Sequence, residues 1–304
     1  MEQERQDSSL CLYRVTAGNF GDDLNELVIR PLMPSTAGTR YLDATRFPEG
    51  RQHETLVVGI GTILNQRIPK ASKKIVFGAG AGYGPAPEVN RRWEVRFVRG
   101  PRTAASIGVS KESVVTDPAI LLVDWAKDHG FSNGNGPEGG VCLMPHLISA
   151  NRAWQDLCRK SGITYLDPAG DVCENLSLIS RSRLVLAEAM HAAIAADALR
   201  VPWVPIHSGK AVNVFKWRDW CESMDIEYKP FQLLPLWDVF PEQRQRRVFQ
   251  RVKSRANRKL LGIVSSKINK PTLSRNDTHQ KRLRAIRSEA ARLQEDLVEG
   301  AFRA

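Results

Sequence analysis

Through its first 240 residues the chain alternates short, nearly unbroken apolar runs with stretches of helical character. No other feature constrains the fold as tightly. Strands that are apolar at every position, not every second one, are covered on both faces, and strand–helix alternation builds mostly parallel sheets. The spacing predicts strands over 10–15, 56–59, 75–77, 95–98 and 114–116, with helices over 22–30 and 101–107. Pro101 stands in the first turn of the second helix, where its missing N–H costs nothing. Residues 128–140, DHGFSNGNGPEGG, hold five glycines and a proline without an apolar period and read as a linker. The alternation then restarts, with strands over 141–144, 163–166, 184–186 and 203–206 and helices over 149–160, 171–180 and 188–199.

The expected fold class is therefore α/β, with two Rossmann-like parallel-sheet domains over 1–127 and 141–240, joined by the 128–140 Gly-rich linker. This is a GT-B-like arrangement in which both sets of strand ends face one cleft, because ligands of open parallel sheets sit beyond the carboxyl ends of the strands. A basic helical C-terminal tail over 241–304 follows. The chain carries 44 Lys+Arg against 33 Asp+Glu, net +11, and the tail alone holds 17 of those cations and 6 of the acids. The first 240 residues, with 27 of each sign, are neutral.

The tail has one broken apolar stripe through Val248, Phe249, Val252, Leu260, Leu261 and Val264, and a weaker one through Ile286, Leu293 and Leu297. Two readings stand: a solvated basic helix folded back on the body, or docking to the anionic headgroups of a membrane surface. Nucleic acid is not an expected partner, since the body is neutral and contains no recognised binding module. The five cysteines form no close pair, which fits a thiol-reducing compartment. The polar start MEQERQDSSL is not a secretory signal, and apolar runs fall short of the roughly 18 residues of a membrane span. A cytoplasmic location is expected, peripheral on the inner membrane if the tail docks there.

Several short segments carry candidate chemistry. Gly78-Ala79-Gly80-Ala81-Gly82-Tyr83-Gly84 has the wrong spacing for a dinucleotide loop, and Pro85 and Pro87 prevent a helix from opening after it. Such glycines are turns where backbone passes close to a ligand or a neighbour. In Gly18-Asn19-Phe20-Gly21-Asp22-Asp23, Asp22 or Asp23 either caps the following helix or presents a carboxylate to the cleft as a proton acceptor. Arg99 and Arg102 lie at a strand-to-helix junction; two guanidinium groups there need an anion between them or a local acid each. His191 falls in the first turn of a small-residue helix just beyond a buried strand, and His146 ends the strand at 141–144 in the same way. Each is either a packing residue or part of an anion-binding cleft. No HxH or HExxH spacing occurs, so no metal site is expected.

Five motifs occur in order: Gly18-Asn19-Phe20-Gly21-Asp22-Asp23, Val76-Phe77-Gly78-Ala79-Gly80, Val98-Arg99-Gly100-Pro101-Arg102, Asp117-Pro118-Ala119-Ile120-Leu121-Leu122, and Ala189-Met190-His191-Ala192-Ala193 with Val201-Pro202 downstream. Together, over about residues 10–207, they resemble the polysaccharide pyruvyl transferase family, in particular its exopolysaccharide (succinoglycan-type) branch. That resemblance implies phosphoenolpyruvate as co-substrate, with no cofactor, and a lipid-linked oligosaccharide as acceptor. A cyclic pyruvate ketal forms on one sugar and phosphate leaves. Under it, Arg99 and Arg102 clamp the donor, and Asn19, Gly21, Gly80 and His146 complete substrate binding. His191 supplies a proton and Asp22 takes one from a sugar hydroxyl. The family often carries Ser-x-Arg-x-His before this helix, and here those places read Ala187, Ala189 and His191. The missing anion contact then falls to Arg181 or Arg183, or the donor is held more weakly. Two other functions fit the same architecture: a nucleotide-sugar glycosyltransferase, and an inactive scaffold held at the membrane by its tail.

Overall fold

The computed structural model describes residues 10–16, 18–34, 40–46, 54–70, 72–131, 139–238, 244–267 and 271–299. Residues 132–138, most of the expected linker, and the boundary at 240/241 lie outside them. In the first half β1 (Leu10–Arg14), α1 (Phe20–Val28), β2 (Arg40–Asp43), β3 (Thr55–Val58), β4 (Lys73–Phe77), β5 (Trp93–Phe97), α2 (Pro101–Ile107) and α3 (Leu122–Asp128) follow one another. The second half runs β6 (Val141–Met144), α4 (Arg152–Ser161), β7 (Thr164–Tyr165), α5 (Val172–Ser180), β8 (Leu184–Ala187), α6 (Met190–Ala198), β9 (Trp203–His207), α7 (Val214–Ser223) and β10 (Phe231–Gln232). Two long helices close the chain, α8 (Arg244–Lys267) and α9 (Asn276–Glu299).

Each lobe is a five-stranded sheet, ordered β2-β1-β3-β4-β5 in the first and β10-β9-β8-β6-β7 in the second. All pairings are parallel. Counted from its own first strand, each sheet has the same order, 2-1-3-4-5, and so the same reversal point, between β1 and β3 and between β6 and β8. The central strands β3, β6 and β8 are buried along their whole length, as their unbroken apolar sequence requires.

One expected strand is absent. Over 114–116 only Val114 forms a bridge, to Val98, because Asp117 at once caps a 3-10 turn over Pro118–Leu121. Four elements were not foreseen: β2, α3, α7 and the short β10. β2 is a polar edge strand beside β1. In α7, Trp217 and Trp220 are buried against Trp203 and belong to the core.

The lobes are fastened together at several points. α6, apolar on every side, is buried. It packs between α1, α5 and the turn at Pro118–Leu121. One continuous apolar cluster joins Leu12, Phe20 and Leu24 to Ala192, Trp203, Trp217 and, from α9, Leu283 and Leu293. α7 lies across α2. There Arg99 and Asp219, both with fully buried side chains, pair Nε to Oδ2 at 3.0 Å. Asp219 also accepts from Thr103 N at 2.8 Å and Thr103 Oγ1 at 2.6 Å. Arg102 forks onto Glu222 at the rim, and Thr116 meets Ser223 at 2.8 Å. α9 leaves the second lobe through the Trp203–Thr272 bridge. It then straps the first lobe, where Arg96 meets Asp296 and Arg287 meets Asp124.

Removing one member of a buried pair strands the other as an uncompensated charge, which costs about 3–5 kcal/mol. Asp219→Ala is therefore expected to lower the urea unfolding free energy by roughly that amount, whereas Glu222→Ala, at the exposed rim pair, costs about 0–1 kcal/mol. Equal losses in the two variants would show that the Arg99–Asp219 pair is not what holds the lobes together.

Candidate active site

The reversal points of the two sheets face each other. From the first lobe come the loop after β1, the Gly59-Ile60-Gly61 turn after β3 and the glycine-rich loop after β4. From the second come Pro145-His146 after β6, residues 188–191 after β8 and the start of α7 after β9. A backbone bond joins the two sides directly, Phe20 N to Pro168 O at 2.7 Å.

His191 is the second residue of α6. Its Nε2 lies 3.4 Å from Oδ2 of Asp117, and its side chain is 13% exposed. Asp117 is fully buried, and its other oxygen, Oδ1, accepts from Ala119 N. Neither this Oδ2 nor the facing Nε2 makes a hydrogen bond; the carboxylate faces the imidazole at ion-pair distance. The opposite ring nitrogen, Nδ1, lies over Gly21, where a Cβ would collide with it. Gly21 is thus the position that lets His191 reach the backbone of α1.

Asp22 sits one residue further along α1 and is nearly buried. Its Oδ2 accepts from Asn19 Nδ2 at 2.6 Å. Burial pushes its carboxyl up from the ordinary range, while the Asn19 bond and the charges of His191 and Lys216 pull it back. Neither Asp22 nor Asp23 caps α1. The N-cap position is Asn19, whose side chain makes no cap bond and instead holds Asp22.

The expected two-arginine clamp is not what the structure contains. Arg99 is wholly buried. Besides Asp219 its guanidinium meets Thr62 Oγ1 at 2.8 Å and Ala81 O at 3.2 Å, and Gly80 is the small residue that makes room for it. Arg102 is spent on Glu222. Each guanidinium has its own acid, supplied by α7. Arg181 and Arg183 cannot substitute, because they precede β8 and so stand at the amino end of that strand, away from the cleft.

The cation in the cleft is one the sequence reading passed over. Lys216 lies in the first turn of α7, where Asn213 accepts from Phe215 N and Lys216 N. Asn213 also reaches across to Gly82 O at 2.8 Å. The Lys216 ammonium forms no hydrogen bond or ion pair among the described residues. It stands 5.6 Å from the centroid of the Tyr83 ring. Burial, then the charge of Arg99, press its pKa down to about 8, with Asp22 opposing. His146 is also within reach of that charge. Burial first, and Lys216 second, push its imidazole down to about 4, so it is neutral near pH 7 and adds no positive charge. Its Nδ1 accepts from Ile148 N at 3.2 Å. Glu188 locks the second-lobe rim by accepting from His146 N at 2.9 Å and from the Ser208 amide and hydroxyl. With its oxygens so occupied, Glu188 offers no free carboxylate to a ribose.

Known proteins resemble this chain to different degrees. Among solved structures, a variant of the wall teichoic acid polymerase TagF superposes over 97% of this chain and 90% of that one, at a TM-score of 0.43 and 10% identity. The succinoglycan biosynthesis protein ExoV of Rhizobium meliloti (strain 1021) is 39% identical over 217 residues, which is 70% of this chain and 64% of ExoV, just under two thirds of that relative's length. The polysaccharide pyruvyl transferase model matches residues 19–208, the stretch that contains Asn19, Gly21, Asp22, Asp117, His146 and His191. With the family model covering more than half of its length, the chain belongs to the polysaccharide pyruvyl transferase family.

Proposed function

We propose that this chain transfers the pyruvate unit of phosphoenolpyruvate to two hydroxyls of one sugar in an exopolysaccharide precursor, forming a cyclic ketal and releasing phosphate. The observation that carries the reading is the meeting, at the carboxyl ends of both sheets, of a histidine faced by a buried aspartate, a buried carboxylate and an unpaired ammonium. Family membership supports the same chemistry.

The donor is an anion at two ends, phosphate and carboxylate. Lys216 is the cleft cation free to hold one of them, and Arg99 behind it keeps the local potential positive without touching substrate. His191, faced by Asp117, delivers a proton to the methylene carbon, so that C2 becomes an oxocarbenium centre. A first sugar hydroxyl attacks C2 and gives its proton to Asp22. A second hydroxyl then displaces the phosphate, whose oxygen accepts that hydroxyl's proton. Of the two hydroxyl protons, one balances the proton now on the methyl group and the other leaves with phosphate. Asp22 suits the base role because burial has already raised its affinity for a proton.

Purified protein given phosphoenolpyruvate and a lipid-linked oligosaccharide is expected to release phosphate only when the acceptor is present. His191→Ala should lower kcat by about 100-fold or more. Release of nucleotide from a sugar nucleotide, or no turnover at all, would overturn the reading in favour of a glycosyltransferase or an inactive scaffold.

Lys216 must be protonated to bind an anion, so donor affinity falls as pH climbs through about 8; an ordinary lysine would keep its charge until near 10.5. Lys216→Met should raise the donor KM by about tenfold or more and abolish that pH dependence. Its effect on stability runs the other way. The folded pKa lies below the unfolded value, so the folded chain binds fewer protons between about 8 and 10.5, and stability rises with pH across that window. At neutral pH the charged Lys216 is a cost to the fold, and Lys216→Met is expected to hold or raise the thermal midpoint. Gly21→Ala, which pushes the His191 ring aside, should cut kcat by roughly tenfold or more while far-UV circular dichroism stays unchanged.

A further inference from the structure

α8 runs 24 residues with nine Lys+Arg and no Asp or Glu. Its carboxyl half is seated on the second lobe. Leu261 and Val264 join the apolar cluster of Trp154 and Leu157 on α4. Asn257, also buried, exchanges a pair of bonds with the Leu234 backbone, at 2.8 and 2.9 Å. Its amino half presents a different face. Val248, Phe249 and Val252 are each 60% or more exposed. At about 100° per residue they share an arc of about 100°, on the side of the helix away from Asn257, Leu261 and Val264. Arg251, Arg255 and Lys259 border that arc on one side, and Lys253 on the other. Arg251, Arg255, Arg258 and Lys259 are exposed and form no ion pair among the described residues.

This face is tied to the mouth of the cleft. The Lys253 ammonium lies 3.8 Å from the centroid of the half-exposed Trp237 ring, and Gln250 Nε2 donates to Trp237 O at 2.8 Å. One residue earlier, Leu236 O accepts from Asn151 Nδ2 at 3.0 Å, and the same amide holds Ser149 O. Asn151 ends the turn that begins at His146 in the cleft, and the tip of that turn is Ile148, 80% exposed. Exposed apolar side chains thus run from the cleft rim through Trp237 to Phe249.

We infer that the amino half of α8, with Trp237 and the Ile148 turn, docks on an anionic phospholipid bilayer. An apolar arc bordered by unpaired cations on a helix without a single acid is complementary to a surface of negative headgroups over acyl chains. A second copy of the chain does not fit, because it would set nine cations against nine. A nucleic acid does not fit either, because its phosphates offer nothing to Val248, Phe249 and Val252. The attachment is peripheral: among the described residues, no helix is long and apolar enough to cross a membrane. Docking itself does not depend on the pyruvyl chemistry. Its use, to turn the cleft toward a lipid-borne sugar, rests on that reading.

The test is flotation of the full chain with phosphatidylglycerol-containing vesicles and with pure phosphatidylcholine vesicles. The expected result is binding to the anionic vesicles alone, weakening as salt rises. Binding should fall about tenfold or more in Phe249→Glu/Val252→Glu and in Arg251→Glu/Arg255→Glu, with thermal midpoints and turnover of a water-soluble acceptor unchanged. Equal binding to both vesicle types, binding to neither, or undiminished binding by the Glu variants would overturn the proposal. So would a dimer in lipid-free solution that Phe249→Glu/Val252→Glu dissolves. Turnover with the soluble acceptor but no flotation would reject docking alone; flotation without turnover would reject the pyruvyl reading alone.

Discussion

The pairing of Arg99 with Asp219 is the interaction on which the rest of the molecule depends. Taking both charges out of water is costly, and their attraction offsets the cost only because the remaining hydrogen-bonding capacity is filled as well. It is filled here: Thr62 and Ala81 satisfy the guanidinium, and the Thr103 amide and hydroxyl satisfy the carboxylate. An arrangement this specific tolerates one seating of α7 on α2. Because Lys216 stands three residues before Asp219, less than one turn away on that same short helix, the pair also sets where the cleft cation stands. Burial makes that cation more acidic, and the charge of Arg99 adds to the effect. A fully buried group thereby contributes to both the position and the protonation of the cleft ammonium.

The two sheets supply complementary halves of the chemistry. The first offers Asp22 from the first turn of α1, after β1; the second offers His191 from the first turn of α6, after β8. Neither half is autonomous. Asp117, from the first lobe, faces the histidine of the second, and Gly21, on α1, leaves the space that histidine occupies. The shared 2-1-3-4-5 strand order explains why such crossing contacts are available: it places a reversal point in each sheet at corresponding positions, so that the two crevices merge.

Much of this architecture was legible from the residues alone. The central strands declared themselves because burial on both faces leaves no polar position to blur the pattern. β2, with the sequence RYLD, did not, because an edge strand needs an apolar residue only where it touches its single neighbour. The segment at 114–116 looked like a strand for the converse reason: three apolar or β-branched residues suffice for the pattern, but Asp117-Pro118 leaves no length in which to pair. At the site, positions were easier to read than partners. His191 and Asp22 could be placed at strand ends from local spacing. The acids that occupy Arg99 and Arg102 lie about 120 residues downstream, at Asp219 and Glu222, and no local signal links them. Lys216 was hidden in a tryptophan-dense stretch whose burial and whose helix were both unresolved by pattern.

α9 has a consequence for how the molecule is made. It follows every other described element in the chain, yet its Leu283, Ile286 and Leu293 lie in the same apolar cluster as Leu12 and Phe20 near the beginning. Synthesis proceeds from the amino end and domains tend to fold as they emerge. The first lobe must therefore wait, with part of its greasy surface naked, until α9 leaves the ribosome. For this protein the hazard of clumping is concentrated before α9 emerges, and a chaperone that shields the nascent first lobe would guard the period when that surface has nothing to cover it.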